Sequence, residues 1–499
     1  MFKKYIEKKG KTNMLNHLNN HFNETTTTNG AVAYKSTQST VLDLFSQGGA
    51  MRQRSDNDIV VLFSKAFAED ATLAMKTLFY LRDIKQGQGE RKFFRLALKH
   101  LALHNKASLV KNLHLIPQFG RWDDMWVLLE TDVKADVANL VKRQLIADNK
   151  VDNPSLLGKW MPSENASSPQ TKKYAKILRT HFDTTPKKYR KLLTSLRTKI
   201  SILETKLTEG RYSDIAYDKL PAKAGMIYRG AFFRNDAVRY TSFLDSLEKG
   251  EVKVNAGTLY PNDIVGKIIG NGGWSTPRLT QQDIQLFEGQ WQNLPNFIGE
   301  KTENSLVMAD VSESMNGTPM QVSIALAMYI AERNKGIYKD HFMTFTDQPS
   351  IVKIQGSNIV DKVHNINARK GYSTDIQKAI QTILDVAVKN KLSNDEIVKK
   401  LYIISDMQFD DYSIKGTSVH IFEAMEKKFN SLGYDFPNIV FWNVNAYGNS
   451  PITMNAQGVQ LVSGYSPSIL TQLLNNDGKT PYDFMVEVVN SERYQEVTA

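Results

Sequence analysis

Three short stretches carry residues whose types and spacing could do chemistry. In VMADVSESMNG (residues 307–317) an apolar run ends on Asp310, with Ser312 and Ser314 at the next alternate positions. GYSTD (371–375) places Thr374 in a loop that opens a helical pattern, and LYIISDMQFDD (401–411) ends an apolar run on Asp406. Two carboxylates and three hydroxyls, without histidine or sulfur, are hard oxygen donors. They suit Mg²⁺ or Mn²⁺ far better than zinc. Mg²⁺ holds its ligands at about 2.1 Å and keeps several waters, so hydroxyls bind it directly while carboxylates can act through water. Two carboxylates leave an open coordination position that could accept an acidic group of a partner. The bland alternative is that these residues only cap the following helices.

The elements around these stretches place them on one edge. Beyond residue 300, short apolar runs (SLVMA, FMTF, LYIIS, NIVFWNV) alternate with amphipathic stretches such as QVSIALAMYIAER, DIQKAIQTILDVAVKN and HIFEAMEKKFNSLG. Strands of this length alternating with helices predict a parallel sheet covered on both faces. Its functional edge lies at the carboxyl ends of the strands, where Asp310 and Asp406 fall.

Residues 1–300 read as helices almost throughout. IVVLFSKAFAEDATLAMKTLFYLRDI, KFFRLALKHLALH and KLLTSLRTKISILETKL repeat apolar residues every three or four positions, with breaks at KQGQGER and IPQFGRWDD. A stacked array of helical hairpins is expected, although no fixed repeat period is visible. Charge divides the chain in the same place. Residues 301–499 hold 18 Lys+Arg and 22 Asp+Glu, against 45 and 30 in residues 1–300, so a part at +15 precedes a part at −4. That asymmetry points to a polyanion-binding region joined to one with another task. The chain has no cysteine, which excludes disulfides, Cys-ligated zinc, Fe–S clusters and thiol catalysis. No run approaches the roughly 18 apolar residues of a membrane span, and MFKKYIEKKGKTN has no apolar core of a signal peptide. A cytoplasmic protein is expected, in the host cytoplasm if a phage encodes it.

Asp310-Val311-Ser312-Glu313-Ser314, then Thr374, then Asp406, resembles in order the metal-ion-dependent adhesion site of the von Willebrand factor A domain. The family's Gly-Gly-Thr is here Gly371-Tyr372-Ser373-Thr374, so Ser373 competes with Thr374 as the ligand. TNGAVAYKSTQSTVLDLFSQGGAMR, LFYLRDIKQGQGERKFFRLALKHLA, IPQFGRWDDMW and AFFRNDAVRYTSFLDSLEKGEVKVNAGTLYPNDIV resemble a phage, bacterial and plant family related to the TROVE module of the Ro autoantigen proteins. The two resemblances together imply an all-α, HEAT-like, ring-forming domain followed by an α/β, Rossmann-like von Willebrand A domain. The turn-favouring run NETTTTNG reads as part of a flexible arm over 1–30, and the change of pattern and charge near residue 300 separates a basic helical domain over 31–300 from the metal-bearing domain over 301–499. Ro-type proteins bind single-stranded ends of misfolded small RNAs and Y-type RNAs. A ribonucleoprotein function on a monomeric ring is what this resemblance implies here.

The residues themselves offer contacts for such a partner. Lys85, Arg91 and Lys92 flank the glycines of KQGQGERK, where basic side chains and backbone amides could meet phosphates, or where the segment is simply a solvated turn. The segment lacks the spacing and Lys-Ser/Thr ending of a P-loop. Arg121 stands beside Trp122 and Trp126, which could stack bases or form one core-facing stripe. The densest basic run holds Lys172, Lys173, Lys176, Arg179, Lys187, Lys188 and Arg190, with Tyr174 and Tyr189 interleaved as platforms on which bases could stack. No catalytic residue is indicated. His17/His21 and His100/His104 have i, i+4 spacing but no adjacent zincin glutamate, and no serine sits in a nucleophile elbow. The expected protein binds single-stranded or small structured RNA and a Mg²⁺ or Mn²⁺ ion, with no membrane partner. The competing reading is a metal-dependent protein-interaction or phage assembly protein, virion-associated, without RNA binding. A metal-dependent nuclease is a third.

Overall fold

The computed structural model describes residues 22–270, 277–299, 304–346, 348–369, 375–410, 418–474 and 478–499. The chain forms two compact units, each built from segments far apart in sequence.

The first unit comprises residues 1–54, 260–279 and 296–488. A hairpin opens it: β1 (Glu24–Thr26) pairs antiparallel with β2 (Val32–Tyr34). The main sheet has six strands, β3 (Ser305–Ala309), β4 (His341–Thr344), β5 (Ile351–Lys353), β6 (Lys400–Ser405), β7 (Asn438–Asn443) and β8 (Val459–Ser463). Their order is β5-β4-β3-β6-β7-β8, parallel except for the antiparallel edge pair β4–β5. Every residue of β3 and β6 is buried, as continuous apolar runs in a covered parallel sheet require. The helix Thr318–Arg333 is buried over Pro319–Ala331, because the helix Pro261–Ile269 covers the side the sheet leaves open. That approach is close: a Cβ on Gly266 would stand 2.8 Å from Gln321 Oε1.

The second unit comprises residues 55–259, 280–295 and 489–499 and is helical. Its longer helices start on designed caps. Ser55 Oγ accepts from the Asp58 amide at 3.1 Å, and Asp70 Oδ1 from Leu73 at 2.8 Å. The helices Pro169–His181 and Pro186–Ile200 carry proline in the first turn behind the caps Ser168 and Thr185. Phe79 meets Phe94 and Phe119 edge-on at 5.4 and 5.3 Å in the core. The chain's last residues complete this unit. Arg493 Nε and Nη2 donate to the buried Asp83 at 2.7 and 2.9 Å, and Tyr494 stacks on Phe119 at 5.5 Å.

These units cut across the linear division at residues 30 and 300. Residues 31–54 and 260–279 belong with the sheet, and residues 489–499 belong with the helices. The helix Thr40–Gln47 supplies the reason for the first: Ser463 Oγ on β8 donates to the Phe45 carbonyl at 2.8 Å and accepts from the Gly49 amide at 3.1 Å. The arm expected over residues 1–30 is a strand hairpin where it is described, because the β-branched threonines at 25 and 26 pair with Ala33 and Val32. Residues 1–21 lie outside the described residues.

Candidate metal centre and basic face

Sheet register builds the acidic centre. β3 and β6 are neighbouring parallel strands with Ala309 opposite Ile404, so the residues that follow each leave the sheet side by side. The Asp310 amide donates to the Ile404 carbonyl at 3.0 Å, extending the ladder by one bond. Asp310 Oδ2 then accepts from Ser405 Oγ at 2.7 Å and Oδ1 from the Ser312 amide at 2.9 Å. Ser312 Oγ and Ser314 Oγ lie 3.1 Å apart, with Ser312 at the burial limit and Ser314 exposed. Asp406 Oδ1 accepts from the Gln408 amide at 3.1 Å, and Met407 between them holds a left-handed φ of 63°. A non-glycine residue in that region is stored strain of the kind that clusters at functional sites.

Both carboxyl groups are fully buried. Burial, followed by the neighbouring Asp310 carboxylate, pushes Asp406 up to about 6. Asp310 is raised too, by burial first, with Asp410 adding to it while Ser312 opposes. Among the described residues Asp406 Oδ2 is buried with no hydrogen-bond partner, and the nearby Ser314 hydroxyl only partly offsets the upward shift of this carboxyl. A buried acidic pair with an orphaned oxygen has too little positive charge around it. Two carboxylates and two hydroxyls therefore fit a hard divalent cation, which would supply that charge. Among the described residues, no group of three His, Cys, Asp or Glu converges as a softer or more acidic site would need. Thr374 and its neighbours Gly371–Ser373 lie outside the described residues.

Sequence reasoning missed the supports of this centre. Thr28 donates from its amide and its hydroxyl to Gln408 Oε1 at 2.8 and 2.9 Å, Asn29 Nδ2 to the Gln408 carbonyl at 2.8 Å, and Thr27 Oγ to the Phe409 carbonyl at 2.6 Å. The hairpin turn thus grips the loop that follows Asp406. Its available signal was the Asn-Gly pair at 29–30 between β-branched residues.

The basic candidates divide by what they touch. Lys172 and Lys176 on one helix, and Lys187 and Lys188 on the next, are exposed and make no ion pair among the described residues. Lys173 pairs with Glu130, Arg179 with Glu164 at 2.7 Å, and Arg190 more loosely with Glu164 at 3.8 Å. Tyr174 is half-buried. Tyr189 is a correction: it is a core residue whose hydroxyl donates to the Pro162 carbonyl at 2.9 Å, because its position faces the packed side of the helix Pro186–Ile200. Trp126 is also buried, with its Nε1 donating to the Trp160 carbonyl at 3.0 Å, whereas Trp122 is half-buried. Lys85 and Arg91 are exposed, and Lys92 pairs with Asp56 at 3.2 Å. Arg121 lies 3.8 Å over the ring of Trp160. The glycine loop between them is not free for phosphates: the amides of Gln88, Gly89 and Glu90 donate to the carbonyls of Tyr80, Asp83 and Leu81. His100 and His104 are neighbours at 4.5 Å between ring centroids, and His17 and His21 lie outside the described residues.

Among the described residues no helix is long and apolar enough to cross a membrane. Residues 27–156 and 157–303 match the family described as Domain of unknown function (DUF2828), and residues 304–498 match Domain of unknown function (DUF7788). Uncharacterized protein L728 of Acanthamoeba polyphaga mimivirus is 30% identical over 507 residues, covering 93% of this chain and 86% of that protein. The crystal structure of the Deinococcus radiodurans RO (RSR) protein aligns over 91% of this chain and 93% of its own, with 14% identity and a TM-score of 0.39.

Proposed function

The chain belongs to the family described as Domain of unknown function (DUF2828), and on its own residues we propose that it binds single-stranded or small structured RNA on the basic helical unit while its α/β unit holds Mg²⁺ or Mn²⁺. The observation that carries the RNA reading is the set of four exposed lysines, Lys172, Lys176, Lys187 and Lys188, that no carboxylate among the described residues neutralises in a unit rich in positive charge. Exposed lysines on two successive helices form an electrostatic footprint for a phosphate backbone. Phosphate contacts of this kind release counterions, so affinity falls steeply with salt. Replacing the four by glutamine in the full chain should reduce the log–log salt slope for a labelled oligo(U) 10-mer by as much as about 3. An unchanged slope and affinity sink the reading.

The metal reading rests on the orphaned Asp406 Oδ2 in a fully buried acidic pair. Asp310, Ser312, Ser314 and Asp406 would hold the ion, with Thr374 as the fifth ligand that the adhesion-site pattern implies. A bound divalent cation would supply the positive charge the buried carboxylates lack. The exposed Ser314 at the rim favours a second reading, in which a protein partner's carboxylate completes the coordination and the protein serves assembly on a virion or other surface. Neither reading assigns a catalytic residue. Oligo(U) that is cut on addition of Mg²⁺ would restore the nuclease alternative.

A further inference from the structure

A second cluster of charges lies around the start of the helix Lys92–His104. The carboxylates of Asp123 and Asp124 are saturated there. Asp124 accepts from Arg82 Nε at 2.7 Å, Arg95 Nε at 2.8 Å and the Arg121 amide at 3.0 Å. Asp123 accepts from Arg121 Nε at 2.8 Å and Arg95 Nη2 at 2.9 Å. Arg121 is further fixed against the Trp160 ring at 3.8 Å. Arg91 precedes Arg95 by one helical turn, its carbonyl accepting from the Arg95 amide at 3.0 Å. Among the described residues its own guanidinium makes no hydrogen bond or ion pair, although Asp123 and Asp124 act on it through space. Three guanidiniums therefore share two carboxylates whose oxygens are already taken, and the fourth, Arg91, stands beside them.

We propose that Arg91, flanked by Arg95 and Arg121, forms a subsite for a phosphate group. A guanidinium presents parallel N–H donors that match a phosphate's oxygens in a bidentate contact. Arg95 and Arg121 are held by Asp123, so they act as a fixed positive field that needs no reorganisation when the anion arrives. The amides at the helix start are not the attraction, because the Glu90 carboxylate already accepts from Lys92 and Phe93 at 3.0 and 3.5 Å. Partial burial, then Arg121 and Arg95, holds the Arg91 guanidinium below its ordinary pKa, while Asp123 and Asp124 oppose that shift. The inference rests on the RNA reading only for the source of the phosphate; a free polyphosphate would offer the same oxygens.

The test uses the full chain, wild type against Arg91→Gln, with Lys253→Gln as an exposed, unpaired control of equal charge loss. Labelled oligo(U) 10-mer is titrated at several salt concentrations, and inorganic tripolyphosphate is titrated separately with melting temperature as the readout. Arg91→Gln should melt as wild type does without ligand, since Arg91 makes no internal bond. It should weaken oligo(U) about ten-fold and lower the salt slope by about 0.7, while Lys253→Gln changes the affinity much less. Equal oligo(U) affinity in wild type and Arg91→Gln, or an equal loss in the control, overturns the subsite and leaves the RNA reading standing. If wild type binds no oligo(U), the RNA reading fails and tripolyphosphate decides the subsite. Stabilisation of wild type but not of Arg91→Gln supports it, and stabilisation of both or neither overturns it.

Discussion

Two pairs of aspartates in this protein sit in opposite electrical surroundings. Asp124 is fully buried against Arg82 and Arg95, and Asp123 beside it is held below its ordinary pKa despite burial, by Arg121 and then Arg95. Asp310 and Asp406 are as deeply buried, but both are pushed upward. Burial raises every carboxyl group, so the difference is the counter-charge the chain itself provides. In the helical unit arginines complete the arrangement internally, with one to spare. In the α/β unit the complement must come from outside. A structural ion pair and a ligand-binding site thus differ in what is left over.

The contrast is broken most severely at Arg82. Arg82→Ala leaves Asp124 buried and should cost about 3–5 kcal/mol, read as a lower urea midpoint for the helical transition. A loss below about 1 kcal/mol would mean that the aspartate finds water or another cation. Next comes the external complement. Mg²⁺ at about a hundred times its dissociation constant should stabilise the wild type by about 2.7 kcal/mol, and Asp310→Ala should abolish that response. An unchanged melting shift in this variant refutes the metal assignment.

A pH series sharpens the same point. Asp406 is raised from 3.8 to about 6, so without metal the folded state holds its proton more tightly than the unfolded chain. Its favourable contribution is present below pH 4 and is lost as pH rises through about 6, a change of roughly 3 kcal/mol. With Mg²⁺ the trend reverses, because the ion competes with that proton, and its melting shift should shrink as pH falls below about 6. Asp406→Asn should flatten both trends; a metal-free pH profile that this variant leaves unaltered speaks against the buried acid pair. The smallest effect is expected at the hairpin. Thr28→Val removes one hydroxyl contact to Gln408 but keeps the amide contact, for about 1 kcal/mol in the melt of the α/β unit. No change there would mean that the backbone alone holds the turn.

What could be read in the sequence was what local pattern records. The runs SLVMA and LYIIS are strands because apolar runs too short for a helix, set between amphipathic stretches, are buried whole in a covered parallel sheet, and the acids that end them are neighbours because those strands are. What stayed hidden depends on partners hundreds of positions away. Thr28 meets Gln408 across 380 residues, and Asp83 meets Arg493 across 410. No periodicity in either stretch encodes the other. Tyr189 failed for a different reason: an aromatic within a basic run looks like a stacking platform until the helix's packed side is known.

Asp83 carries a further consequence, for the order in which the chain can acquire its structure during synthesis. Its carboxylate accepts from Arg493, and Tyr494 donates to it at 3.1 Å, so until residues 489–499 have been made the buried acid has the Lys85 amide at 3.0 Å but no cation beside it. A ribosome delivering the chain from its amino end releases residues 55–259 long before those contacts exist. Helices can form early, but the unit's final closure must wait for nearly the whole polypeptide, and a gene cut at residue 300 would express a helical fragment that never receives its last piece.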